Sequence, residues 1–321
     1  MVKSPNFRQK MKILLTGGGG FLGYAVIKKL NPFHQIVCLD HGKNYKVLDK
    51  YFGKGIKLIK GDAQDTKLLK TLLKKTEIII HLAGVAGERR CLENPIESNI
   101  SNIYSTYAIL DVAKSSNIKK IIFSSSYWVY STYLKRLMPL SESSQLNTDS
   151  IYGAQKVISE LMIKNSNIPF EILRIGATYG YGIDNQLKSP INNFIIQAFK
   201  RKPITIYGNG LQKVDFVYTE DIARVIGSLI KQKESNNVYN IGSGKPTSML
   251  EVINILSIIF EKDYKIKVRI KKIKAPLGKV WPNKWLSIKK VQGVIKDYPF
   301  TKLEDGIRKT VKELEPIYIN K

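Results

Sequence analysis

This sequence predicts an open, doubly wound α/β fold with a parallel sheet. Two observations carry the expectation. Met11 to Gly23 reads as strand, glycine turn and helix start, and short apolar runs then alternate with amphipathic ones along most of the chain. With 321 residues, 43% of them hydrophobic, the chain holds enough apolar surface for a sizeable core, which excludes a disordered polypeptide.

The first strand is Ile13-Leu14-Leu15. It meets Thr16 and then glycines, with Gly17, Gly20 and Gly23 spaced G-x-x-G-x-x-G against an amphipathic helix from Phe21 to Leu30. One glycine permits the sharp turn, one lets a phosphate approach the backbone, and one lets the helix pack close to the strand. The helix N-terminus offers free N–H groups and a partial positive charge to a pyrophosphate. A glycine-rich loop without a ligand is the other reading, and the flanking strand and helix are the context that selects a dinucleotide site.

A second strand, Gln35 to Asp40, ends in a carboxylate 17 residues past Gly23. There Asp40 accepts from ribose hydroxyls and repels a 2′-phosphate, which favours NAD over NADP; Lys43 nearby opposes that preference. Ile56 to Lys60 forms a third strand before Gly61-Asp62. Asp62 is placed either toward an adenine or as the cap of a helix from Thr66 to Lys75. The fourth strand begins at Glu77 and runs into His81-Leu82-Ala83-Gly84, whose small residues let a cofactor pass near the backbone. His81 reads as a strand-end packing residue. No histidine or cysteine cluster accompanies it, so no metal site is expected.

Gly87 to Pro95 is polar and loop-like, and a helix is predicted from Ile100 to Ser115. The fifth strand, Lys120 to Ser126, ends in three hydroxyls, and ligands of open parallel sheets bind outside the carboxyl ends of strands. Tyr152-Gly-Ala-Gln-Lys156 then opens a helix to Lys164, with Tyr and Lys on one face. A phenol of ordinary pKa about 10 is a poor base at neutral pH. A nearby ammonium and a positive nicotinamide ring favour its phenolate. Serine, tyrosine and lysine thus make a proton-transfer set for oxidising an alcohol beside NAD.

Further on, Phe170–Arg174, Ile204–Tyr207, Asp215–Tyr218 and Val238–Ile241 read as strands. Helices are expected at Pro190–Lys200, Thr219–Lys231 with Thr219 as N-cap, Ser248–Glu261, Ser287–Ile295 and Lys302–Glu315. Lys265–Ile273 alternates and suits an exposed edge strand.

The net charge of +26 admits a nucleic-acid or anionic-membrane partner, but the basic residues are spread out and define no groove or stacking platform, so no specific nucleic acid is expected. No apolar run reaches the ~18 residues of a spanning helix, so no membrane insertion is expected. The polar N-terminus MVKSPNFRQK reads as a short extension, not a secretory signal. Cys38 and Cys91 make no disulfide framework and fit a reducing cytoplasm.

Taken together the chain resembles the extended short-chain dehydrogenase/reductase family, in its NAD-dependent nucleotide-sugar epimerase/dehydratase group. The resemblance rests on Thr16-Gly17-x-x-Gly20-x-x-Gly23, Asp40, Gly61-Asp62, His81 to Gly84, Asn94-Pro95, Asn102, Ser124 to Ser126, Val129-Tyr130 and Tyr152/Lys156. It continues through Leu173-Arg174, Tyr179-Gly180, Gly208-x-Gly210, Asp215 to Asp221 and Tyr239 to Gly244. It implies a Rossmann-like NAD domain over 1–175, to which segments around 212–245 return, and a smaller C-terminal α/β nucleotide-sugar domain over 176–211 and 246–321. It implies catalytic roles for Ser126, Tyr152 as acid/base, and Lys156, which also holds the nicotinamide ribose. Asn102 is implied to support the helix that carries Tyr152. Cofactor contacts are implied at Gly17, Gly20, Phe21, Leu22, Gly23, Asp40, Asp62, Ala63, Leu82, Ala83 and Gly84, besides Tyr152 and Lys156. Substrate contacts are implied at Arg89, Ser125, Ser126, Ala177 and Lys213. Members often form homodimers through the helix carrying Tyr152 and its neighbour near Asn102.

The implied reaction is epimerisation of a nucleotide sugar at C4 through a transient keto-sugar, the hydride returning from bound NADH. The alternatives are an oxidoreductase or dehydratase of the same family, or a non-enzymatic basic RNA-binding or scaffold protein. Tyr127-Trp128 stands where the 4,6-dehydratases carry an Asp-Glu pair, which disfavours water elimination. The segment Ala86 to Pro95 resembles the matching loop of sugar and uronic-acid 4-epimerases. Ala177 replaces a frequent Asn, Lys213 a frequent Arg, and the usual C-terminal arginine motif is blurred across Lys274 to Lys279, so the diphosphate site is altered.

Overall fold

A computed structural model describes residues 10–42, 44–130, 138–183, 189–274, 283–295 and 299–319. Residues 1–9, Lys43 and most of the stretch from Lys274 to Lys279, on which expectations were placed, lie outside them.

The first half builds one layered unit. In order it runs β1 (Lys12–Thr16), α1 (Phe21–Leu30), β2 (Gln35–Asp40), α2 (Tyr45–Phe52), β3 (Lys57–Lys60), α3 (Thr66–Leu73) and β4 (Ile78–His81). Then come α4 (Glu88–Glu93), α5 (Pro95–Asn99), a π-helical turn Ile100–Tyr104, α6 (Ser105–Ala113), β5 (Lys120–Ser126), α7 (Ile151–Lys164) and β6 (Phe170–Ile175). The chain continues with β7 (Ala177–Tyr179), α8 (Pro190–Phe199), β8 (Ile204–Tyr207), β9 (Lys213–Tyr218), α9 (Thr219–Lys231) and β10 (Asn237–Ile241). It closes with β11 (Pro246–Ser248), α10 (Met249–Tyr264), β12 (Ile270–Ile273), α11 (Lys289–Gln292) and α12 (Leu303–Tyr318).

Seven strands form one parallel sheet in the order β10-β6-β5-β4-β1-β2-β3. Covered on both faces, its central strands are apolar throughout; β4 is buried along its whole length. On one face Val26, Leu30, Ile222, Ile226 and Leu229 of α1 and α9 form the core. On the other, Leu69, Ile109 and Val112 of α3 and α6 pack over Leu14, Ile79 and Ile121. The order reverses between β1 and β4, where ligands of such sheets bind. This is the Rossmann-like α/β arrangement expected from the sequence.

A second core joins α8, α10 and α12 with β8 and β9 through Phe194, Ile195, Ile206, Phe216, Ile253, Phe260 and Val311. The two cores meet tightly. Only Gly176 separates β6 from β7, its N–H donating to Ile241 O at 2.8 Å. Asp215 of β9, fully buried, accepts from the N–H groups of Ser243, Gly244 and Leu286 at 2.6, 3.2 and 3.1 Å. Among the described residues no helix is long and apolar enough to cross a membrane.

Several local expectations are corrected. The polar stretch after Gly87 is helical, and Pro95 starts α5 at a position where its missing N–H costs nothing. The predicted helix from Ile100 opens with the π turn, which swings Asn102 inward. Asp65, not Asp62, caps α3 by accepting from Leu68 N at 3.0 Å, while Asp62 turns back to Gln64 N. Thr219 is the first residue of α9, and its hydroxyl has no partner among the described residues. The edge strand shortens to β12, paired in parallel with β8, and the helix expected at Ser287–Ile295 shortens to α11.

Candidate active site

The turn between β1 and α1 leaves no room for side chains. Gly17 sits at φ +73°, and a Cβ there would lie 2.6 Å from Ala83 N. A Cβ on Gly23 would lie 2.4 Å from Gly18 O, so the helix reaches its place only through glycine. The N-cap of α1 is Gly20, with no side-chain cap and no acid in the first turn. The orphan N–H groups of that turn therefore suit an anion. Asp40 pins the turn, its Oδ2 accepting from Gly19 N at 2.9 Å and its Oδ1 from Gly42 N at 3.0 Å. A diphosphate cradle at a helix N-terminus with a carboxylate at the next strand end fits a dinucleotide such as NAD.

A pocket opens from this turn across the ends of β4, β5 and β6. Gly17, Gly20, Phe21, Leu22 and Gly23 form one wall; Leu82, Gly84, Val85, Ala86 and Arg90 another; Ser124, Ser125, Ser126, Tyr152 and Lys156 a third, closed by Ile175, Gly176 and Thr178. Ala83 is not on that lining but packs behind Gly17. Asp62 is exposed and Ala63 buried, both off the pocket.

The three hydroxyls of β5 have three fates. Ser124 donates to His81 O at 3.1 Å. Ser125 donates to Glu160 Oε1 at 2.6 Å, so its proton is spent within the protein. Ser126 accepts from Trp128 N at 3.3 Å and lies beside the Tyr152 phenol, where it favours the phenolate. Accepting from the backbone leaves the Ser126 proton free to donate.

Tyr152 and Lys156 are nearly buried, 8% and 4% exposed. Burial pushes the phenol up, Cys91 adds to this, and Ser126 opposes it. Burial brings Lys156 down to about 8, against the pull of Cys91 and Glu160. Lys156 Nζ donates to Ser124 O at 2.8 Å and lies over two rings, 4.7 Å from the centre of Phe123 and 5.8 Å from that of Tyr152.

Helix α7 is held at several points. Ser150 caps it, accepting from Gly153 N at 3.0 Å. Glu88 Oε2 accepts from Ser150 Oγ and, at 3.2 Å, from Tyr152 N. Asn102 Nδ2 donates to Gln155 Oε1 at 2.6 Å and its Oδ1 accepts from Val85 N at 2.8 Å, tying the pocket wall to α7. Arg174 grips Glu160 with two bonds of 3.0 and 2.7 Å. Burial alone would raise Glu160, but Arg174 and Ser125 hold it below its ordinary value. His81, fully buried, bridges Thr16 Oγ1 at 2.7 Å and Thr106 Oγ1 at 3.1 Å.

Three expected substrate contacts do not line the pocket. Arg89 is 83% exposed and pairs with Glu93 at 2.7 Å; Arg90, one helical step on, faces the pocket instead. Ala177 is passed over for its neighbours Gly176 and Thr178, and Lys213 is exposed at the start of β9. Read as a loop, the segment does not single out Glu88 and Arg90. Spacing it at a helical 100° would have separated the three charges.

With this geometry in hand, the known proteins it resembles are informative. The sequence profile of the NAD-dependent epimerase/dehydratase family matches residues 13–242. The chain is 29% identical over 316 residues to a UDP-glucuronate 4-epimerase of Thermodesulfobacterium geofontis, covering 93% of this chain and 94% of that one. Among solved structures it is similar to a UDP-N-acetylglucosamine 4-epimerase from Methanobrevibacter ruminantium M1, with TM-score 0.85, 27% identity and 95% and 98% of the two chains covered. It is also similar to a UDP-glucuronic acid 4-epimerase from Bacillus cereus in complex with UDP-glucuronic acid and NAD, with TM-score 0.84, 27% identity and 96% and 100% covered.

Proposed function

Since this chain belongs to the NAD-dependent epimerase/dehydratase family, we propose that it interconverts the C4 epimers of a UDP-linked hexose. The observation that supports this most is the convergence of Ser126, Tyr152 and Lys156 on the pocket whose other wall is the glycine turn. NAD is the cofactor. Its pyrophosphate would lie against Gly17, Gly20, Phe21, Leu22 and Gly23, its adenosine ribose by Asp40, and its nicotinamide ribose by Lys156. When bound, NAD supplies a hydride acceptor that gives the hydride back.

In this reading Tyr152 takes the proton of the C4 hydroxyl as that carbon is oxidised. Ser126, with its proton free to donate, bridges the phenol and the sugar oxygen. Ser125 acts through Glu160, shaping the end of β5. A phenol raised by burial is a weak acid, and the Lys156 ammonium, 5.8 Å from the centre of its ring, favours the phenolate as it forms. The oxidised sugar then presents its other face, and Tyr152 returns the proton. Tyr127-Trp128 brings no acid to the site, which leaves water elimination without a proton donor there.

We further propose that the chain works in carbohydrate biosynthesis and as a homodimer. Ile100, Tyr104, Tyr107, Ile158 and Leu161 are 43, 51, 50, 42 and 52% exposed on and beside α6 and α7, an apolar stripe suited to a second copy. The two free, buried cysteines fit a reducing cytoplasm.

The test is incubation of the NAD-loaded protein with UDP-glucose, UDP-N-acetylglucosamine and UDP-glucuronate. The C4 epimer of at least one is expected, with no net change in nicotinamide absorbance, and Tyr152→Phe should slow it by about 10²–10⁴-fold. NADH accumulating in step with a released keto-sugar would replace the epimerase reading with an oxidoreductase.

A further inference from the structure

Helix α4 sends three successive charged side chains to three places. Glu88 turns to the N-terminus of α7, where its carboxylate is taken up by Ser150 and by the N–H of Tyr152. Arg89 turns to solvent and pairs with Glu93. Arg90, half-buried, turns to the pocket that Ser126 and Tyr152 also line. Among the described residues no carboxylate stands within ion-pair distance of Arg90, whereas its neighbour Arg89 is paired. Its sequence neighbour Glu88 is occupied by α7. Arg90 thus lines the same pocket as Ser126 and Tyr152, with no carboxylate among the described residues paired to it.

We propose that Arg90 is a specificity determinant that selects a sugar carrying a carboxylate at C6, a nucleotide-linked hexuronic acid. The inference rests on the 4-epimerase reading, because Tyr152 and Ser126 then fix where C4 lies. In a pyranose the diphosphate hangs from C1, across the ring from C4. The carbon next to C4 is C5, and it bears C6, which is a hydroxymethyl in a neutral hexose and a carboxylate in an acidic one. A cation at the C4 end of the ring therefore meets C6 and not the diphosphate. The planar guanidinium donates two parallel N–H bonds to a carboxylate. Against a hydroxymethyl the same cation stays partly desolvated and unpaired, which works against the neutral sugar. Glu88 serves this contact indirectly, by fastening α4 to the helix that carries Tyr152.

The experiment compares UDP-glucuronate and UDP-glucose on the NAD-loaded protein, by kcat/KM and by calorimetric binding, with UDP alone as a third ligand. Wild type should prefer the uronate. Arg90→Gln should cut the uronate-to-glucose ratio by about tenfold to a hundredfold in both readouts. Arg89→Gln should keep the ratio. Equal losses for both sugars and for UDP would make Arg90 a diphosphate contact and overturn the proposal. So would a wild-type preference for the neutral sugar, or an Arg89→Gln variant that carries the effect. Binding keeps the two readings apart. If no sugar is epimerised, the 4-epimerase reading falls. An Arg90-dependent preference for binding UDP-glucuronate then still upholds the carboxylate contact, and its absence removes it.

Discussion

His81 shows what burial does to a single titratable group. It is fully buried with a hydroxyl on each ring nitrogen, and burial, helped by the charge of Lys156, drives its pKa down to about 3. An unfolded histidine titrates near ~6.5. Below that pH the unfolded chain takes up a proton that the folded one refuses, so stability falls as the pH drops from about 6.5 toward about 3. At pH 5 the contribution lost is about 2 kcal/mol relative to pH 7. Urea denaturation of wild type and His81→Gln at the two pH values checks this: the wild type should lose that much more than the variant, and equal losses would remove His81 as the cause. Other residues of the site were less legible. The Tyr152/Lys156 spacing gave the right face of the right helix, but the direction of Lys156 Nζ depends on the carbonyl of Ser124, which no spacing reveals.

Elements with a strong apolar period and a glycine or polar break at each end were legible to the residue. Phe21–Leu30, Gln35–Asp40, Lys120–Ser126 and Thr219–Lys231 were all expected with the limits they have. The helices that escaped, α2, α4 and α5, are short and polar, with a single buried residue each, Leu48, Cys91 and Ser98. Their helicity comes from docking, and α4 owes its place to Glu88 reaching α7. The glycine spacing at the head of α1 is the most demanding local feature. Gly23→Ala drives a methyl into the backbone of Gly18, where only backbone can give way. The strain should cost about 1–3 kcal/mol of stability and tilt α1 away from the turn. Thermal melting and the amount of NAD retained through gel filtration should both fall. Unchanged NAD retention would mean that α1 does not set the cradle.

The whole molecule buries its apolar residues in cores shared across a sheet and a second lobe, and leaves a stripe on α6 and α7 uncovered. If that stripe pairs two copies, Leu161→Glu together with Tyr104→Glu should halve the mass measured by light scattering, with far-UV circular dichroism retained. A monomeric wild type would refute the pairing. The positive charge is a property of this same scale. It is diffuse in sequence, and nothing in the site requires it. One further consequence belongs to the junction of the two lobes. A hinge needs slack in the chain, and Gly176, a single residue between two paired strands, provides none. Asp215 clamps the neighbouring crossing with bonds to three backbone N–H groups. A sugar that turned over inside, as the proposed reaction requires, would do so in a frame of constant width. Which ring substituents are tolerated is then a question of clearance during the turn.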